Sequence, residues 1–446
     1  MNLIKAIDLG KGESVVFVGA GGKTSTMFAL AKELEKPVIL TATTHLGAWQ
    51  SGLADVHYIV QQPEDIDENL LTKGGKILFT GPEGDDQRLH GLAGETLAKL
   101  QSICKDNNLN LLIEGDGARQ RAIKAPAEYE PVIPMGVDRV ILLAGLSALG
   151  KPLVETYVHR PEIFSSITGL ALTNPIRVCD VIQLLESKDG GLKGIPIGSE
   201  KILFLNQADD DVLSSKGGRI ARRLTGTYDR ILIGSIEQPG STGYIQSVYS
   251  QTAGVILAAG GSERLQRPKQ LLDWYGKPFI RQVAETALEA GLAPLIVITG
   301  ANHDQVTKAL SGLPVQIHLN PNWKNGQSTS VRLGINAVSE KCDSALFLLC
   351  DQPQLPSQLI IELLDRFRQN RMTITAPMVD GQRGNPLLFS REAFSALAKI
   401  TGDRGGRTLI NLFKVDWLPW IDGRILLDVD KPGDYERLLK SYSISE

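Results

Sequence analysis

Gly254-Val-Ile-Leu-Ala-Ala-Gly-Gly-Ser-Glu-Arg-Leu-Gln-Arg-Pro-Lys-Gln-Leu-Leu272 decides the reading of this 446-residue chain. Gly254–Ala258 is a short apolar run of the kind buried on both faces of a parallel sheet. It opens into a loop holding Ala259, Gly260, Gly261, Ser262, Arg264 and Lys269. Glycine lets a backbone approach a ligand closely, and the N–H groups of such a loop can line phosphate oxygens. Arg264 and Lys269 add positive charge suited to a triphosphate and a leaving pyrophosphate. A bare G-G-S turn says little; the string L-A-A-G-x-S-x-R-L-x-x-P-K-Q-L-L, from Leu257 to Leu272, is far more specific.

Outward from this loop, short β-branched runs alternate with helical patterns. Strands are expected at Ser14–Gly19, Pro37–Ala42, Lys76–Thr80, Asn110–Glu114, Arg139–Leu143, Lys201–Asn206 and Arg230–Gly234. A second series runs through Gly254–Ala258, Leu295–Gly300, Val315–Leu319, Ala345–Cys350 and Ile374–Pro377. Helices are expected between them, among others at Thr24–Glu35, Gly91–Asp106, Phe279–Ala290 and Ser357–Gln369. This alternation predicts an α/β fold with mainly parallel sheets. The turn-rich stretch Glu237–Gly243 separates the series, so the expected domains are 1–247 and 251–446. A subsidiary part after residue 150 would make the count three.

Hydrophobic residues are 42% and charged residues 22% of the chain, which excludes disordered, collagen-like and coiled-coil classes. With 47 basic and 50 acidic residues, the net charge of −3 gives no sign of a nucleic-acid or membrane partner. No stretch reaches the length of an apolar membrane span. The four cysteines are widely spaced and lack histidine neighbours, so neither zinc nor disulfides are expected and a cytoplasmic location is.

Nucleotidyl transfer needs an acceptor oxygen in line with the α-phosphate and a cation to offset developing charge. Mg²⁺ takes one or two carboxylates plus phosphate and water oxygens. Asp351 follows the run Ala345–Cys350, at the strand end where doubly wound sheets hold ligands, and Asp430 closes the run Ile425–Val429. Each is either a metal carboxylate or a helix or turn cap. Asn320, Trp323, Gly326, Gln327 and Ser328 form a polar loop suited to a nucleotide or pterin. Trp323 either stacks on a ring or packs inside. Cys350 reads as a small core residue. No general base is apparent, and an ionised phosphate acceptor needs none.

In the first half, Val15-Val-Phe-Val-Gly-Ala-Gly-Gly-Lys-Thr-Ser25 is a strand, glycine loop and helix start. The usual P-loop would place glycine at Phe17; what remains is the shorter Gly19-x-x-Gly22-Lys23-Thr24. Gly19, Gly21 and Gly22 would bring N–H groups to phosphate, Lys23 would reach the β/γ oxygens, and Thr24 or Ser25 would hold Mg²⁺. ATP or GTP are the expected ligands. Thr44 and His45 after the second strand, with Glu114 and Asp116 as an acid pair after the fourth, fit this reading. Asn206 and Asp209, in Asn206-Gln-Ala-Asp209, either read a guanine edge or cap a helix. His159 beside Arg160 either contacts an anion or is an ordinary surface or core residue.

The segment from about residue 251 resembles the molybdenum cofactor cytidylyltransferases of the MobA-like nucleotidyltransferase family. The match includes Asn320-Pro-Asn-Trp323, Gly326-Gln-Ser-Thr-Ser330, Leu349-Cys-Asp-Gln-Pro353, Arg383-Gly-Asn-Pro386, Gly402-Asp-Arg-Gly405 and Asp428-Val-Asp430. The resemblance implies a Rossmann-like nucleotide-diphospho-sugar-transferase-type domain that uses CTP and Mg²⁺ on Mo-molybdopterin, because Ala259 stands where GTP users carry glycine. It gives Arg264, Lys269 and Asp351 catalytic roles, and Asp351 and Asp430 the metal. It places nucleotide at Leu257–Ser262, and acceptor near Arg383, Gly384, Asn385 and Pro386. Many relatives carry Met-Gly where this chain has Leu265-Gln266.

The first 250 or so residues resemble the YqeC-like accessory proteins of selenium-dependent hydroxylases, with a P-loop-like α/β domain. Gly19–Thr24, Thr43-Thr-His45, Glu114-Gly-Asp-Gly117, Lys124-Ala-Pro126 and His159-Arg-Pro-Glu162 carry this likeness. Molybdenum hydroxylase apoenzymes would then be partners. A GTP or sugar-phosphate nucleotidyltransferase, a non-catalytic cofactor carrier, and a kinase or ATPase in the first module stay open as alternatives.

Overall fold

The computed structural model describes residues 1–84, 88–236, 244–262 and 264–443; the turn-rich stretch Glu237–Gly243 and Glu263 of the glycine loop lie outside them. The chain divides into two compact units, Met1–Ser250 and Gln251–Glu446.

Unit 1 is a mostly parallel sheet. Its strands include β1 (Ser14–Gly19), β2 (Val38–Ala42), β3 (Val56–Ile59), β4 (Lys76–Thr80), β5 (Leu111–Glu114), β6 (Ile123–Lys124), β7 (Arg139–Gly145), β8 (Val158–His159), β9 (Glu200–Asn206) and β10 (Arg230–Ser235). The order β10-β9-β7-β1-β5-β2-β4-β3 is parallel throughout, while β6 and β8 form a separate parallel pair. The strand β11 (Tyr244–Ala258) crosses the unit boundary, and its first part pairs antiparallel with β10. Side chains alternate between faces, so Val16 and Val18 enter one core cluster and Val15 and Phe17 the other. The chain passes from β5 to the far side of β1, where β7 lies, so a crevice opens at the carboxyl ends of β1 and β5. The helix α1 (Lys23–Glu33) starts there, after Gly22.

Gly22 has φ 118°, and a Cβ on it would stand 2.5 Å from the Asn206 amide nitrogen. Only glycine fits where this loop crosses under α1.

In unit 2, the rest of β11 is a central strand. It is flanked by β12 (Leu295–Thr299) and β14 (Cys342–Leu349), with β13 (Val315–Leu319) beyond β12. On the other side follow β16 (Leu387–Ser390), β15 (Ile374–Val379) and β17 (Val415–Pro419). All run parallel except β16. The helices α2 (Phe279–Glu289) and α3 (Ser357–Asn370) cover one face, together with Ile256 and Ala258 of β11. The helix α4 (Gln327–Ala337) lies on the other face, with Val255.

Leu265 and Gln266 form a tight turn after β11, each N–H donating to the Ser262 carbonyl. Gln266 takes φ 57°, and its N–H donates to the Ser262 carbonyl at 3.1 Å. An L-residue in the left-handed region carries a penalty of about 1 kcal/mol, which glycine lacks. Gln266→Gly is therefore expected to raise stability toward guanidinium by about 1 kcal/mol. An unchanged or lowered midpoint would contradict the left-handed turn.

Candidate functional site

Each unit has a cavity of about 800 Å³ at the carboxyl ends of its parallel strands. In unit 2 the walls include Leu257, Ala259, Gly260, Lys269, Trp323 and Asp351. Three glutamines assemble them. Gln270, fully buried, donates through Nε2 to the carbonyls of Ala258 (3.0 Å) and Gly260 (2.7 Å), which fastens the lysine-bearing turn to the glycine loop. Gln352 donates to the Ile425 carbonyl (3.2 Å) and to Asp428 Oδ1 (2.7 Å). Gln354 donates to the carbonyls of Arg424 (3.1 Å) and Leu427 (2.7 Å). The segment ending at Asp430 is thereby tied to the residues following Asp351. It forms a short 3₁₀ turn, Gly423–Leu426, and Val429 packs with Leu265 and Leu272 in one apolar cluster.

As a result Lys269 Nζ stands between two carboxylates, in direct contact with Asp351 Oδ2 and 3.4 Å from Asp430 Oδ1. Burial opposes charge on Lys269, yet Asp351 beside it raises the ammonium pKa above its ordinary value. Asp351 is 6% exposed, and its Oδ1 has no hydrogen-bond partner among the described residues. Desolvation, then the Asp351 charge, holds the carboxyl of Asp428 above the usual range. Cys350 is buried and its thiol is pushed up to about 12 by burial, the behaviour of a core residue.

Trp323 is half-buried. Its ring lies against Gly261 and Gly300, where an added Cβ would meet it at 2.9 Å, and it also lines the cavity. Gly326 and Gln327 reach the wall, as do Lys324, Asn325 and Asp403, which sequence reasoning did not single out. Asp403 Oδ1 accepts from the Gln327 N–H at 3.3 Å. Asn320 and Ser328 are buried; Asn320 binds Thr329, Ser330 and Asn322 and organises the loop from within. Ser262 accepts from the Lys269 N–H at 3.0 Å and shapes the turn. Arg264 is exposed, off the wall. Arg383 to Pro386 also lie off it: Arg383 is exposed, the other three are buried, and Asn385 Nδ2 has no partner among the described residues.

The cavity of unit 1 gathers Gly21, Gly22, Lys23, Thr24, Ser25, Thr44, His45, Glu114, His159 and Arg160. The first bond of α1 runs from the Thr26 N–H to the Gly22 carbonyl (2.9 Å), so the N–H groups just before it have no acceptor within the helix. Lys23 folds back onto the Gly19 carbonyl (2.8 Å) and Asp116 (3.3 Å). Thr24 donates to Glu114 Oε2 at 2.9 Å and accepts from Gln50 Nε2 at 2.9 Å. Burial raises the Glu114 carboxyl pKa.

Asp116 lies beneath the loop, off this wall, where it accepts from the Gly19 N–H (3.1 Å) and pairs with Lys124 (2.8 Å). Asn206, fully buried, holds the loop from below: Nδ2 donates to the Gly21 carbonyl (2.8 Å) and Oδ1 accepts from the Ile236 N–H (2.9 Å). Asp209 is exposed, accepts from Ser235, and does not reach the wall. Neither side chain lines this cavity.

Comparison with known proteins divides the chain in the same way. Residues 254–417 match the model of the MobA-like NTP transferase domain, and residues 15–162 that of YqeC protein. The chain is 32% identical over 207 residues to the uncharacterized protein YqeC of Escherichia coli (strain K12), covering 45% of this chain and 79% of that protein. It is 32% identical over 195 residues to the nicotine blue oxidoreductase of Paenarthrobacter nicotinovorans, covering 42% of this chain and 95% of that protein. It is 26% identical over 139 residues to a probable molybdenum cofactor guanylyltransferase of Bacillus mycoides (strain KBAB4), covering 31% of this chain and 67% of that protein. No helix among the described residues is long and apolar enough to cross a membrane.

Burial, then the charges of Arg160 and Lys124, lowers His159 from 6.5 to about 4. As pH falls from 6.5 toward 4, the unfolded chain takes up a proton that the folded one refuses, so this residue removes stability in that window. An NMR titration of the imidazole is expected to give a midpoint near 4. His159→Gln should lose less stability on acidification. A midpoint near 6.5 would contradict the described surroundings.

Proposed function

From a chain that belongs to the YqeC family through its first unit and to the MobA-like NTP transferase family through its second, we propose a molybdenum cofactor cytidylyltransferase. The reaction is transfer of CMP from CTP to the terminal phosphate of Mo-molybdopterin. An acceptor oxygen forms a bond to the α-phosphorus, the bond from that phosphorus to the α–β bridging oxygen breaks, and pyrophosphate leaves with the electron pair. The acceptor is already ionised and needs no base.

The observation that carries this reading is the contact of Lys269 with Asp351 and Asp430 beside the Ala259–Gly260 loop. A divalent cation fits these residues: Asp351 Oδ1 is buried without a partner, and two carboxylates suit Mg²⁺ once phosphate and water supply the remaining oxygens. When bound, Mg²⁺ would offset charge on the α-phosphate and the pyrophosphate. Lys269 holds the carboxylates in place without the cation and can turn its ammonium to a phosphate oxygen when one is present. Ala259 and Gly260 bring backbone to the phosphates, and Trp323 offers a flat wall to a base or pterin. The glycine loop of unit 1, Gly19–Ser25, holds a second nucleotide, ATP or GTP, in support of molybdenum hydroxylase maturation.

Ala259 favours CTP, whereas the Bacillus mycoides relative is named for guanylyl transfer. Incubation with Mo-molybdopterin, Mg²⁺ and CTP or GTP is expected to yield the cytosine dinucleotide. The guanine product instead would shift the nucleotide assignment alone. Asp351→Asn should abolish turnover, by at least about a hundredfold, with the fold retained. No dinucleotide from either nucleotide would sink the reading and turn attention to the redox chemistry named for the Paenarthrobacter relative.

A further inference from the structure

The cavity of unit 1 carries cations in two groups. Lys23 belongs to the glycine loop. Arg119 and Arg121 lie on the turn after β5, and Arg160 follows β8; all four line the same cavity, as do Arg88, Glu114 and Glu130. Both carboxylates already have partners, Glu114 in Thr24 and Glu130 in Lys124 and Arg160. The wall is therefore cationic in a chain whose net charge is −3.

Two sets of bonds lock the groups together. The Gly21 N–H donates to the Arg121 carbonyl at 3.0 Å, and the Gly145 N–H to the Ala122 carbonyl at 2.7 Å, so the arginine turn and the glycine loop share a backbone seam. Beneath them runs a ladder of alternating charge: Lys23 to Asp116 (3.3 Å), Asp116 to Lys124 (2.8 Å), Lys124 to Glu130 (2.8 Å), and Glu130 to Arg160. Lys23, Asp116, Lys124 and Glu130 are 5%, 2%, 6% and 8% exposed. The ladder compensates its own interior charges and fixes its two ends.

Arg119 and Arg121 stand outside the ladder, and neither forms an ion pair among the described residues. Arg119 and the next residue, Gln120, both hold left-handed backbone (φ 46° and 58°) in the turn that puts Arg119, Gln120 and Arg121 on the cavity wall. Arg160 lies 5.9 Å from the centre of the exposed Tyr129 ring, giving that side a flat, charged surface. Guanidinium groups bind carboxylate or phosphate through paired hydrogen bonds.

We propose that Arg119, Arg121 and Arg160 form a subsite for a second ligand, a small molecule bearing a carboxylate or phosphate, facing a nucleoside triphosphate on the glycine loop. This rests on the reading of Gly19–Ser25 as a triphosphate site. The loop has its own phosphate-binding groups in Lys23 and the free N–H groups at the start of α1. The arginine wall is additional to these and takes a separate anion.

The test uses the full chain with Mg²⁺ and a non-hydrolysable ATP analogue. Inorganic phosphate or succinate is then titrated while the His159 imidazole is followed by NMR. A saturable shift with one of the two probes is expected, and the probe that binds tells phosphate from carboxylate. In the Arg119→Ala/Arg121→Ala double variant the midpoint should weaken at least about tenfold, with analogue affinity unchanged. The Arg119→Lys/Arg121→Lys pair, which keeps the charge, should recover part of it. No shift with either probe in the analogue-saturated protein overturns the proposal. So does a double variant that keeps its fold but loses analogue affinity, because the arginines would then serve the nucleotide. If the analogue itself fails to bind, the triphosphate reading falls. A probe shift in nucleotide-free protein, lost in the double variant, would still uphold the anion subsite.

Discussion

Unit 2 is organised around one electrostatic constraint. Two carboxylates from distant parts of the chain approach the same point, and like charges so placed need a cation between them. Lys269 supplies it to Asp351 and Asp430. Without the lysine, Asp351, 6% exposed, would face Asp430 with no cation beside it, so the surrounding structure must keep Lys269 in place. Gln270 does this from the lysine's side, and Gln352 and Gln354 from the aspartates' side. Leu265, Leu272 and Val429 close the arrangement through apolar contact.

Unit 1 meets a comparable constraint differently. Its loop lysine, Lys23, is buried against Asp116, and that aspartate is shared with Lys124. The pairing does not end there but continues through Glu130 to Arg160 at the cavity wall. A phosphate on the glycine loop would compete with Asp116 for Lys23. The two units thus place a lysine against a carboxylate beside a glycine loop, on unrelated sequences.

Much of the framework was legible because buried parallel strands are short apolar runs. Ser14–Gly19, Lys76–Thr80 and Val315–Leu319 have the ends expected from sequence. Val56–Ile59 was not foreseen, being a four-residue edge strand without a continuous apolar run. The early part of Tyr244–Ala258 also escaped, since Tyr244–Ser250 mixes polar residues into a strand paired along one side. Motifs placed Lys269, Asp351 and Asp430 on a common task, but their contact depends on tertiary packing. Asn206 and Asp116 looked like ligand contacts because acids and amides at strand ends often are. Here both turn inward to hold the glycine loop, a direction no local pattern encodes. Arg119 and Arg121 were passed over because charges in a loop ordinarily face solvent.

The central claim is that the Lys269–Asp351–Asp430 site transfers a nucleotidyl group. A single-turnover reaction of the full chain with Mo-molybdopterin and CTP labelled either at the α- or at the γ-phosphate tests it most directly. The account requires the α-label in the cofactor product and the γ-label in released pyrophosphate. A γ-label in the cofactor product, or free phosphate in place of pyrophosphate, would contradict it.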